Sequence, residues 1–260
     1  MTKHDFPQIV QAPENTLEEK KYLVRFAQNS EDVDAVLRLR FEVFNLELGE
    51  GLDESFETER DQDRFDFSCH HLMVIERKTG NVIGTYRMQT QEMAATGNGF
   101  YTATEYDLTQ MPDAILNGVV EVGRACIAKA HRNGRVLFLL WRGLAAYMSL
   151  FKKQFLFGCC SLTSQDPHEG KQVMDYLQNR GHVRDDFAVP ALPGYACYEE
   201  SFISEKQIRI KIPKLFKLYL NLGAKVCGPP VIDRQFKTID YLVILDIKTM
   251  DNRTRTMYFG

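Results

Sequence analysis

Short apolar runs bounded by turn residues organise this chain. Tyr22 to Ala27 reads as a short strand. From Ser30, read as a cap, the spacing becomes helical, with Val33, Val36, Leu37, Phe41 and Phe44 on one stripe. Glu31, Asp32 and Asp34 fill the first turn, where the helix dipole favours them. His70 to Arg77 and Val82 to Thr90 flank Thr79-Gly80-Asn81 and predict a hairpin. Residues 91–118, broken by Gly97, Gly99, Pro112 and Gly118, predict loops with short helical pieces.

The next stretch is the most structured. Val119 to Ala128 is a β run, followed by a loop carrying Lys129, His131, Arg132 and Arg135 around Gly134. A helix from about Gly134 to Lys152 is apolar almost all round, with Arg135, Arg142 and Ser149 as a narrow polar strip. That pattern predicts burial on most of its surface. Phe155 to Leu162 is a further strand. Asp166-Pro167 starts a helix that Gly181 ends, Pro213 to Leu222 is a short amphipathic helix, and Ile239 to Ile247 reads as an interior strand. The elements predict an α/β fold over residues 17–260, one domain with a C-terminal extension, behind a loose arm at 1–16.

Composition narrows the field without choosing a function. At 260 residues with 26% charged and 44% hydrophobic residues, the chain has an ordinary globular make-up with ample core. A net charge of −3 gives no reason to expect nucleic acid. Residues 1–16 have no apolar segment of the export type, and Arg142 interrupts the longest apolar run, so the expected location is cytoplasmic. The six cysteines show no metal-type spacing and read as reduced, buried thiols. Glu50 to Asp66 is strongly acidic and is expected to be a solvated, mobile loop rather than a calcium site; no metal is expected anywhere. Arg40, on the flank of the first helix stripe, reads either as a surface residue or as one facing a cleft. Ser204 to Lys217 carries Lys206, Arg209, Lys211, Lys214 and Lys217 against Glu205. It suits an acidic carrier protein, an anionic membrane surface, or plain solvent.

The chemistry is set by what the motifs allow. There is no Gly-x-Ser-x-Gly elbow, no His-x4-Asp pair, and no base marked beside Cys126, the one thiol weighed as a nucleophile. An acceptor amine that itself attacks a thioester needs no enzyme nucleophile. It needs a base, donors for the oxyanion and two substrates held in line. Glu121 is the candidate base, and Arg132, Gly134 and Arg135, ahead of the buried helix, are the candidate cradle for the donor's phosphate. A structural pairing of Glu121 with Arg124 stays open on spacing alone. The two are an odd number apart, so a regular strand would set them on opposite faces. A bulge near Gly123 would bring both to one cleft.

Several of these stretches together resemble the GNAT-superfamily amino-acid N-acyltransferases that make ornithine lipids, similar in fold to acyl-homoserine-lactone synthases. The resemblance runs over about residues 22–247. It rests on Arg40 and Phe44, Asp61 and Asp63 in the acidic loop before Cys69-His70-His71-Leu72, Gly84-Thr85-Tyr86-Arg87, Phe100-Tyr101, Glu121-Val122-Gly123-Arg124, Leu140-Trp141-Arg142-Gly143, Gly158-Cys159-Cys160-Ser161, Asp166-Pro167 and the C-terminal run to Leu245. It implies a GNAT-like mixed β-sheet flanked by helices. It implies transfer of a long-chain, 3-hydroxy or plain, fatty acyl group to the α-amino group of an amino acid, ornithine first. Acyl carrier protein is the implied donor, with acyl-coenzyme A the alternative because His131-Arg132-Asn133-Gly134-Arg135 departs from the usual coenzyme A loop. No cofactor beyond that co-substrate is implied. By the same resemblance Glu121 and Arg124 are catalytic, and Arg40, Phe44, Arg87 and Trp141 bind substrate. The partners expected are the carrier protein, the amino acid and a peripheral contact with the inner membrane face. A lactone-forming signal synthase and a non-catalytic, haemolysin-like acyl-binding protein are the other readings.

Overall fold

A computed structural model describes residues 12–14, 16–206 and 209–260. The arm expected over 1–16 therefore lies largely outside the described residues. The chain divides into two compact units. One takes the described part of Met1–Gly99 with Val120–Lys153 and Thr256–Gly260, and the other takes Phe100–Val119 with Gln154–Arg255.

In the first unit the strands β1 (Leu17–Glu18), β2 (Tyr22–Phe26), β3 (His70–Glu76), β4 (Val82–Thr90) and β5 (Val119–Ile127) lie side by side in chain order. Each neighbouring pair is antiparallel, with Phe26 opposite Leu72, His71 opposite Arg87 and Gln89 opposite Glu121. The two long helices of this unit are α1 (Ser30–Phe41) and α2 (Arg135–Leu150). Val33, Val36 and Leu37 of α1 form a core cluster with Ala27 and Met73. On α2, Gly143 comes so close to Leu72 that an added Cβ would sit 2.8 Å from its side chain. Successive strand residues face opposite ways, so Leu72 under α2 and Met73 under α1 place the helices on opposite faces.

The boundaries follow the sequence with instructive exceptions. The cap of α1 is Asn29, whose side chain accepts from the Asp32 N–H, rather than Ser30. The helix then continues as a π-helical segment, Glu42–Leu48, ended by Gly49 at φ +69°. Gly134, at φ +82°, turns the chain into α2.

In the second unit, β6 (Phe155–Leu162) pairs along its whole length with β9 (Thr238–Asp246), antiparallel. The short strands β7 (Lys225–Val226) and β8 (Val231–Asp233) also pair with β9. Asp166 caps α3 (Pro167–Asn179) by accepting from the His168 N–H, as its sequence predicts. A further helix, α4 (Lys214–Asn221), follows Pro213. The C-terminal helix Asn252–Phe259 was not foreseen, since its residues are mostly polar and lack a clear stripe.

Candidate active site

The face of the first unit's sheet that α1 covers holds a cluster of buried charge. Arg40, fully buried, donates from Nε to Asp61 at 2.7 Å and from Nη1 to Asp66 at 2.6 Å. Arg87 reaches Asp63 at 2.6 Å and Asp66 at 3.0 Å. Arg124 reaches Asp63 at 3.0 Å and Asp61 at 3.4 Å. Three guanidiniums thus face three carboxylates, which is how buried charge becomes tolerable. Burial alone would push the Asp66 carboxyl up, but Arg40 and Arg87 beside it hold it far below the usual carboxylate range. Asp63 is lowered likewise, with Arg87, Arg124 and Arg40 together overcoming the large upward push of its burial.

Local structure makes this arrangement possible. Asp63 and Asp66 form a capping box on a short 3-10 turn, Arg64–Phe67. Asp63 accepts from the Phe65 N–H and Asp66 accepts from the Asp63 N–H, each at 2.8 Å. The Asp61 N–H donates to the Leu37 carbonyl on α1 at 3.1 Å. The acidic stretch expected to be solvated and mobile is therefore, over residues 61–66, a tied and largely buried element. Arg40 is neither a surface residue nor open to a cleft, because two aspartates enclose it.

The anticipated bulge exists. The β4–β5 register slips by one residue between Thr85 and Arg87, so that Arg124 and Ala125 together oppose Tyr86. The conformational burden falls on Arg124 itself, at φ +47°, and not on Gly123, which pairs in register with Arg87. The extra residue turns Arg124 to the side where Arg87 and Gln89 point. Glu121, 6% exposed, lies on that side too and accepts from Gln89 Nε2 at 2.7 Å. Cys69 sits among Arg87, Glu121, Asp66 and Asp63, and burial pushes its thiol up.

The remaining expected residues lie elsewhere in this unit. Arg132 forks onto Glu47, with both Nη atoms at 2.7 Å from its carboxylate, and donates from Nε to the Ile127 carbonyl. Arg135 pairs with Glu19 and lies 4.9 Å over the Phe138 ring, beside Gly134 at the N-terminus of α2. Trp141 is buried on α2, 5.5 Å from the Tyr258 ring, and Phe44 is buried in the π-helical segment. The structure gathers Arg40, Arg87, Arg124 and Glu121, and buries Phe44 and Trp141 in helical segments. Cys126 is buried and its thiol is pushed up to about 12 by burial, so it is not a ready nucleophile. An apolar hollow of about 240 Å³ lies between α2 and the β1–β3 edge, lined by Leu17, Val24, Phe26, Leu72 and Gly143 among others; no expected site residue lines it. In the second unit, Glu105, Cys159 and Asp240 bring ligand-type atoms within 4.8 Å of one another, the set among the described residues with donors suited to a metal ion.

Neither Asp66 nor Gln89 stood out in the sequence as a site residue. Asp66 was hidden in a run of like charges, and Gln89 could have been found by sliding β4 along β5 until Glu121 met a polar partner.

The family model for the acetyltransferase (GNAT) domain matches residues 39–142, which take in all nine expected site residues. An L-ornithine N(alpha)-acyltransferase of Brucella abortus is 34% identical over 247 residues, covering 90% of this chain and 88% of its own. Another from Rhizobium meliloti is 31% identical, with 90% and 83% covered. Among solved structures, FeeM, an N-acyl amino acid synthase from uncultured soil microbes, superposes with a TM-score of 0.50 at 14% identity. It covers 88% of this chain and 92% of its own, a likeness of fold.

Proposed function

The chain belongs to the L-ornithine N(alpha)-acyltransferase family and is an acyltransferase, and from that premise we propose that it moves a long-chain fatty acyl group, 3-hydroxylated or plain, from acyl carrier protein to the α-amino group of ornithine. The observation that carries this reading is Glu121, a nearly buried carboxylate fixed on a bulged strand beside a charge-balanced cluster. Glu121, directly or through a water, takes a proton from the acceptor's ammonium. The freed amine attacks the thioester carbonyl carbon and forms the C–N bond, and the tetrahedral oxyanion collapses as the C–S bond breaks, the thiolate taking up the second proton that the acylated nitrogen sheds. The bulge where Arg124 and Ala125 oppose Tyr86 is where the acyl carbonyl lies. Arg40 and Arg87 act by holding the acidic loop rigid, since their guanidiniums are occupied by carboxylates.

The loop of Arg132, Gly134 and Arg135 receives the donor's phosphate. Glu47 and Glu19 occupy the two arginines, but such half-exposed ion pairs are worth only about 0–1 kcal/mol, so a phosphate displaces them at little cost. Among the described residues no helix is long and apolar enough to cross a membrane. The protein works from the aqueous side, and residues 202–206 and 209–217 rest on the cytoplasmic membrane face where a lipid product departs. Supporting that contact, Ile203 is 79% exposed and Ile210 is exposed, with Lys206, Arg209, Lys211, Lys214 and Lys217 exposed around them.

The direct test is mass spectrometry of the reaction of purified protein with acyl carrier protein loaded with a long-chain acyl group and ornithine. An Nα-acyl-ornithine product is expected. Thioester hydrolysis alone, or acylation of other amino acids only, would contradict the assignment.

A further inference from the structure

Gln89 spends its hydrogen bonds in an unusual way. It is 1% exposed on β4 and directly opposite Glu121. Its amide nitrogen donates twice, to Glu121 Oε2 at 2.7 Å and to the Gly99 carbonyl at 3.1 Å. The Gly99 carbonyl can only accept, so the amide orientation is fixed chemically: nitrogen toward Glu121, oxygen away. That oxygen is buried and has no hydrogen-bond partner among the described residues. An unmet buried acceptor is destabilising, and an apolar side chain of the same size would avoid that cost. The cost is explained if the amide is there for what its nitrogen holds.

We propose that Gln89 is the positioning residue for Glu121, clamping one carboxylate oxygen between two strands so that the carboxylate presents a single orientation to the acceptor's ammonium. This rests on the reading of Glu121 as base. Gly99, at φ +78°, aims the carbonyl that completes the clamp. Gln89 touches no reacting atom; it acts through Glu121.

The experiment is a double-mutant cycle on the full chain, with Gln89→Met, Glu121→Gln and the double variant assayed for turnover of acyl carrier protein-bound acyl groups with ornithine. Gln89→Met keeps length and removes the donor, and Gln89→Leu takes its place if melting curves show that the Met variant does not fold. Gln89→Met is expected to lower kcat roughly 10- to 100-fold, leaving the donor KM within about twofold. In the Glu121→Gln background the same change should lower kcat less than about twofold, because the group being positioned is gone. An equal drop in both backgrounds would show a packing role and overturn the proposal, as would normal kcat in the Gln89 variant. Near-normal turnover of Glu121→Gln alone would instead overturn the base reading, a separate outcome.

Discussion

Asp66 is the residue on which the buried cluster closes, since it accepts from Arg40 and Arg87 and its carbonyl faces His71 Nε2 at 3.0 Å. That contact requires Nε2–H as donor, and His71 Nδ1 has no hydrogen-bond partner among the described residues, so the imidazole is neutral. Burial pushes His71 down to about 4, Asp66 opposing and Arg40 assisting the shift. The unfolded chain binds this proton near pH 6.5 and the folded one only near pH 4, so stability is complete above about 6.5 and declines as pH falls between the two. Denaturant unfolding at pH 7 and 4.5 should show about 2–3 kcal/mol lost through this group. His71→Asn should lose that much less over the same interval, and an equal loss in both proteins would contradict it. Asp63 and Asp66, lowered in the fold, contribute in a lower window, with stability present above about pH 3.9 and lost only below it. None of this was legible in sequence, because Arg40 lies 21 and 26 residues from its two aspartates and a run of Asp and Glu reads as solvated until a fold brings arginines to it.

At the scale of elements, the strands β2 to β6 and β9 were readable because apolar side chains recur with a period of two or in short runs between turn residues. The helices α1 to α4 were readable from stripes and caps. The π-helical continuation of α1 was not, since widening by one residue per turn leaves the apolar spacing almost unchanged. The bulge was legible as a parity argument between Glu121 and Arg124, but the residue bearing it was not. Glycine is the usual occupant of a left-handed position, and here Arg124 holds it at φ +47° because its guanidinium is anchored on Asp61 and Asp63. This predicts an inversion of the usual ranking. With the ion pairs removed in both, Arg124→Gly should be more stable than Arg124→Ala by about 1 kcal/mol. Thermal melting decides it, and an Ala variant at least as stable as the Gly variant would mean that the strain is not there.

For the whole molecule, a net charge of −3 hides the basic stretch at 204–217, which only exposure makes meaningful. If that stretch rests on an anionic bilayer, changing Lys211, Lys214 and Lys217 to Glu should abolish sedimentation with phosphatidylglycerol-containing vesicles at low salt, while unmodified protein binds and is released by salt. Unchanged binding of the variant would exclude the contact. The account as a whole depends on Glu121 being the base for amine attack on a thioester. The most direct measurement is steady-state turnover of Glu121→Gln with ornithine and acyl carrier protein-bound acyl groups, beside its melting curve, because the amide keeps the shape and cannot take the proton. With Glu121 as the base, kcat falls by roughly 10²–10⁴ with donor binding and fold intact. Near-normal turnover in a folded or destabilised variant would contradict it and leave Glu121 as a structural partner in the β4–β5 pair.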